Sequence, residues 1–100
     1  MGKQQNETTA KVFSTGKELV LTILTRVQDG AGSGSVDRPA LEALHFLEAA
    51  LGVAEEGETA NAAGMLELAV EVLHETPLGA APDTFRKTYS RRLNELIGPR

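Results

Sequence analysis

The chain has 100 residues, a net charge of −4, 41% apolar residues and no cysteine. That length gives one domain with a modest core, and the missing thiols exclude disulfides, thiolate zinc sites, iron–sulfur ligation and cysteine nucleophiles. No uninterrupted apolar run approaches the ~18 residues needed to span a bilayer, and no cleavage pattern follows "LVLTIL", so a soluble, cytoplasmic protein is expected. Gly2 could open a myristoylation signal, but Asn6 stands where Ser or Thr is required.

With three Phe, one Tyr and no Trp, any core must be aliphatic, which favours packed helices. Charge is segregated along the chain. Residues 37–83 hold ten acids against the single base Arg38, while residues 84–100 hold Arg86, Lys87, Arg91, Arg92 and Arg100 against Glu95.

Residues 1–13 are polar and aperiodic and are expected to be disordered, leaving 14–100 as a single helical domain. A first helix is expected over 15–29, opened by the capping box Thr15-x-x-Glu18. Leu19, Val20, Ile23, Leu24 and Val27 share one of its faces, although alternation over Leu19–Val27 also suits a strand. Residues 30–36 read as a flexible Gly/Ser loop, long enough to let the first helix pack at a distance or on a neighbouring subunit. A phosphate-binding role for this loop is disfavoured. Gly30, Gly32 and Gly34 are not followed by the Lys of a P-loop, and Ser35 leaves the dinucleotide fingerprint without its third glycine.

A second helix is expected over 37–56, with Asp37 as N-cap, Pro39 in its first turn and Gly57 in the left-handed position after its end. Leu41, Leu44, Leu47, Leu51 and Ala54 form its apolar stripe, and Phe46 and Val53 are left outside it. The third helix, over 59–75, carries Ala62, Met65, Leu66, Ala69, Val72 and Leu73 on one side and stops before Pro77. So short a connection predicts an antiparallel helical hairpin. The fourth helix, over 82–97, opens with Pro82 and Asp83 and aligns Phe85, Tyr89, Leu93, Leu96 and Ile97. The fold class is therefore all-α: a small bundle of about four helices around a central hairpin.

Two constellations bear on chemistry. Glu42/His45 and Glu71/His74 each form a Glu-x-x-His pair, the ligand spacing of carboxylate-bridged di-metal bundles, to which Glu18 and Glu95 could add carboxylates. At about 100° per residue both pairs fall on polar faces, so surface histidines are preferred and neither a metal nor another cofactor is expected. Arg86, Lys87, Arg91 and Arg92 on the fourth helix could contact nucleic acid, but the acidic remainder of the chain opposes it. The same bases could instead lie along the acidic second and third helices, in their own chain or in a second copy. No nucleophile–base arrangement or G-x-S-x-G elbow is present. The sequence thus points to a non-enzymatic protein–protein interaction module, a small regulator, adaptor or antagonist acting through a helical surface as a homodimer. A DNA-associated regulator and a metal-binding helical oligomer are the alternatives.

Overall fold

Four helices follow one another: α1 (Gly2–Ser33), α2 (Arg38–Glu55), α3 (Thr59–Glu75) and α4 (Pro82–Ile97). They are seen in a computed structural model that describes residues 2–34 and 36–97, apart from the side chains of 2–6, 82 and 97. No strand occurs among the described residues, so Leu19–Val27 is helical. The all-α bundle expected from the sequence is the architecture observed.

The helix boundaries of the hairpin follow from local chemistry. Asp37 caps α2 by accepting from the Ala40 amide at 3.2 Å, filling one of the donors that a helix start leaves unpaired. At the other end Gly57, at φ +96, lets the Glu58 amide reach the Val53 carbonyl and its own amide reach that of Ala54. That pair of bonds is a Schellman closure, which requires the left-handed residue. Thr76 ends α3 in an extended conformation ahead of Pro77.

The first helix departs from expectation at both ends. Residues 2–13 are helical and not disordered, and Thr15 is a buried residue in mid-helix with no capping role. Val12 in the core and an ion pair from Lys11 to Glu67 at 2.6 Å hold this upstream stretch to α3. Downstream, Gly30–Ser33 continue the helix, and the connection shrinks to the residues around Gly34, whose φ of +77 ends it. A glycine inside a helix costs only about 1 kcal/mol, which packing readily outweighs, so Gly30 and Gly32 did not stop α1. The helix packs on α2 and α3 of its own chain.

The α2–α3 hairpin is the centre of the molecule. α1 lies against both of its helices on one side and α4 against both on the other, and α1 and α4 share no contact among the described residues. α3 is accordingly buried on most of its circumference: Ala63, Leu68 and Val70 join the expected Ala62, Leu66, Ala69, Val72 and Leu73 in the core, and only Met65 of that stripe is half-buried.

The face of α2 is not the expected one. Pro39, Ala40, Ala43, Leu47 and Ala50 are buried, whereas Leu41, Leu44 and Leu51 are 46%, 38% and 37% exposed. Two neighbouring helices must approach α2 closely, and small side chains permit this. Gly16 of α1 sits so near that a Cβ on it would lie 3.6 Å from Leu47 Cδ1. Phe46 and Val53, expected to be left over, are half-buried against the core. Phe46 stacks on Tyr89 with ring centroids 3.9 Å apart and tilts toward Phe85 at 5.5 Å, giving α4 its aromatic anchor. Leu93 is half-buried, but Leu96 is exposed and does not extend the α4 stripe into the core.

One polar cluster ties three elements together. Arg26 grips the fully buried Asp37 carboxylate with two bonds, Nε to Oδ2 at 2.6 Å and Nη2 to Oδ1 at 3.1 Å. Its remaining Nη1 donates to the Thr76 carbonyl at 2.6 Å and to the Leu73 carbonyl. A cation thus meets the negative end of α3 while its anion caps the positive end of α2.

Two stability predictions follow from these contacts. Arg26→Leu leaves Asp37 as a buried charge without its counterion and should cost about 3–5 kcal/mol in chemical denaturation; a loss below about 1 kcal/mol would contradict the role assigned to the cluster. The Tyr89 hydroxyl is buried without a hydrogen-bond partner, so Tyr89→Phe should leave stability unchanged or raise it by about 1 kcal/mol, and clear destabilisation in thermal melts would show that the hydroxyl is satisfied.

Candidate functional site

The residues singled out for metal binding do not converge. His45 and His74 are exposed on different helices, and each Glu of the two pairs is engaged by α4. Arg86 binds Glu42 through both oxygens, at 3.0 and 2.8 Å. Arg92 binds Glu75 at 2.7 Å and also reaches Glu71. Glu18 and Glu95 lie exposed on α1 and α4, helices that do not touch. No group of three or more potential metal ligands forms among the described residues.

These ion pairs show where the charge asymmetry of the chain is used. Glu42 stands at the α4-side edge of α2, and Glu71 and Glu75 at the α4-side edge of α3, so Arg86 and Arg92 clamp α4 from both flanks. The Arg86 hydrogen bonds hold the Glu42 carboxyl below its ordinary value of 4.5, against the opposing effect of its partial desolvation. The bonds that Arg92 donates to Glu75 and then to Glu71 move its guanidinium further above the usual value, and those donated to Glu42 do the same for Arg86. Of the four bases proposed as nucleic-acid contacts, Arg86 and Arg92 are thus occupied, while Lys87 and Arg91 remain exposed on the outer face of α4.

What the sequence reading missed is an apolar ribbon on the opposite side of the hairpin. Phe13, Leu24 and Val27 of α1 are 67%, 52% and 39% exposed, with Val20 half-buried beside them. They run next to Leu41, Leu44 and Leu51 of α2, and Val36 in the connection is also exposed. At one end a cleft of about 390 Å³ opens between Val27, Ala31, Val36 and Leu41. A signal for this was present. Ala40, Ala43, Leu47, Ala50 and Ala54 repeat at alternating three and four residues with no charge among them. The leucine series at the same spacing, Leu41, Leu44, Glu48, Leu51 and Glu55, is interrupted twice by acids, which marks it as the outer seam.

A second depression, of about 680 Å³, lies between α1 and the end of α3. Lys17, Leu21, Thr25, His74 and Leu78 line it. Thr22 and Thr25 spend their hydroxyl protons on the carbonyls of Glu18 and Leu21, while Lys17, Glu18 and His74 place polar and charged side chains along the groove. No helix among the described residues is long and apolar enough to cross a membrane. No protein family model, curated protein or solved structure matches the chain.

The Glu42–Arg86 clamp makes a pH prediction. A carboxyl whose pKa is lowered in the folded state adds stability above its unfolded value, and that contribution is lost as the pH falls through the folded value. Wild type should therefore be more stable than Glu42→Gln at pH 7, and the gap should close as the pH is taken well below 4.5. Parallel denaturant titrations measure it; a gap that is unchanged at low pH would exclude the clamp.

Proposed function

We propose that this chain is a non-enzymatic protein–protein interaction module that presents the α1–α2 face to another protein surface. The apolar ribbon carries the reading. Six large apolar side chains, Phe13, Leu24 and Val27 of α1 and Leu41, Leu44 and Leu51 of α2, are each more than a third exposed, and contiguous exposed apolar patches mark interaction sites. The ribbon lies on helices anchored to the hairpin and not on a loop, so it is a preformed surface with little ordering entropy to lose on binding.

Several features support this over the alternatives. The sequence lacks a recognisable nucleophile, base and orienter in combination. Arg86 and Arg92 are committed to holding α4, which weakens the case for α4 as a nucleic-acid reader. The glutamates of the Glu-x-x-His pairs are taken up by the same arginines, which weakens the case for a metal-binding oligomer. A regulator, adaptor or antagonist needs only what this fold has, a rigid scaffold with one sticky face.

The reading is tested by a photo-crosslinking amino acid placed at Leu44 on the ribbon and, as a control, at Lys87 on the far side. Irradiation in the producing cell should give discrete covalent adducts from position 44, identified by mass spectrometry as this chain or another protein, and none from position 87. Absence of adducts from position 44, or equal labelling from both positions, would overturn it.

A further inference from the structure

We infer that the α1–α2 face is closed by a second copy of this chain, with α1 lying on the partner's α2 and Lys17 facing the partner's Glu48. This rests on the interaction reading above and names its occupant.

The first observation is spacing. On α1 the outward residues Phe13, Lys17, Val20, Leu24, Val27 and Ala31 are separated by four, three, four, three and four residues, with Lys17 standing where this seam borders the groove beside α3. On α2 the outward residues Leu41, Leu44, Glu48, Leu51 and Glu55 are separated by three, four, three and four. These are the two alternating steps of a heptad seam, the pattern by which helices interdigitate side by side. The α1 seam carries one charge, Lys17, and the α2 seam carries acids at Glu48 and at its end, Glu55; Glu48 is the one set between leucines, and its charge is opposite to that of Lys17.

Register is the second observation. Gly16 lies against Leu47 and Arg26 against Asp37, so α1 and α2 run antiparallel with Lys17 and Glu48 within about one turn of the same height. Both are exposed, and neither makes an ion pair among the described residues. A two-fold axis parallel to the helices preserves height and exchanges the positions of α1 and α2. It therefore seats α1 on the partner's α2, antiparallel, with Lys17 over the partner's Glu48 and the reciprocal pair beside it. The other face-to-face arrangement, α1 on α1, brings Lys17 toward the partner's Lys17 and Glu48 toward the partner's Glu48. Like charges placed opposite one another select against that arrangement.

A charge set between apolar seam positions fixes orientation and register at some cost in affinity, which suits a self-complementary surface that must not slip.

The test is sedimentation equilibrium of the full chain across a wide concentration range, comparing wild type with Lys17→Glu, Glu48→Lys and the double reversal. Both sites are exposed, so circular dichroism should report unchanged folding in every variant. Wild type should be dimeric, each single reversal should weaken association about tenfold or more, and the double reversal should return it to within about threefold of wild type. A wild type that is monomeric throughout would overturn the inference, as would single reversals without effect or a double reversal that fails to restore association. A monomer that still gives Leu44 adducts with another protein would leave the interaction reading standing while this one falls.

Discussion

The Arg26–Asp37 pair is the constraint on which the arrangement of helices depends. It joins the last quarter of α1 to the residue before α2 and to the last carbonyls of α3. Each participant would be costly alone: a carboxylate with no exposure, a guanidinium largely withdrawn from water, and helix-end carbonyls shielded from solvent. Together they satisfy one another, and they do so only when α1 lies in the groove of the hairpin at one height. Apolar contacts between aliphatic helices are permissive about sliding; this cluster is not. The close seat of Gly16 over Leu47 follows from that fixed height.

On the far side the logic differs. α4 has no buried ion pair. An aromatic stack of Phe46, Phe85 and Tyr89 attaches it, and two exposed arginine clamps flank it. Exposed pairs contribute modestly, so the rings supply most of the attachment while Arg86 and Arg92 decide which way α4 lies. The acidic middle and the basic end of the chain are complementary halves of this one contact.

Ends of elements were legible in the sequence wherever a single residue's chemistry decides them. Asp37 with Pro39, Gly57 and the Thr76–Pro77 step each act locally and placed α2 and α3 within a residue. The start of α1 was not legible, because Thr15-x-x-Glu18 is a valid cap only if the chain upstream is not helical, and that is decided by the contacts of Lys11 and Val12 with α3. Faces were the harder matter. Leucine marks burial on α2 by hydrophobicity alone, yet the buried face is mainly alanine, since a helix squeezed between neighbours needs small side chains and a helix edge does not. For the same reason the candidate site is hidden in the sequence, because the leucines that look like core lie on the surface. Of the partners that the charge pattern allows the basic helix, the acidic helices of its own chain are the ones it meets, and which arginine is occupied depends on the crossing of α4 over the hairpin, which no local pattern encodes.

That α1 and α4 never meet gives α2 an unusual position. Its Phe46 edge belongs to α4, its alanine face to α1 and α3, and its leucine edge to the open surface, so three environments are read by one cylinder. Its start is pinned at Asp37 by Arg26 and its end is closed by the turn at Gly57, and between those two points the docking of the terminal helix and the presentation of the leucine edge fall on opposite sides of the same helix.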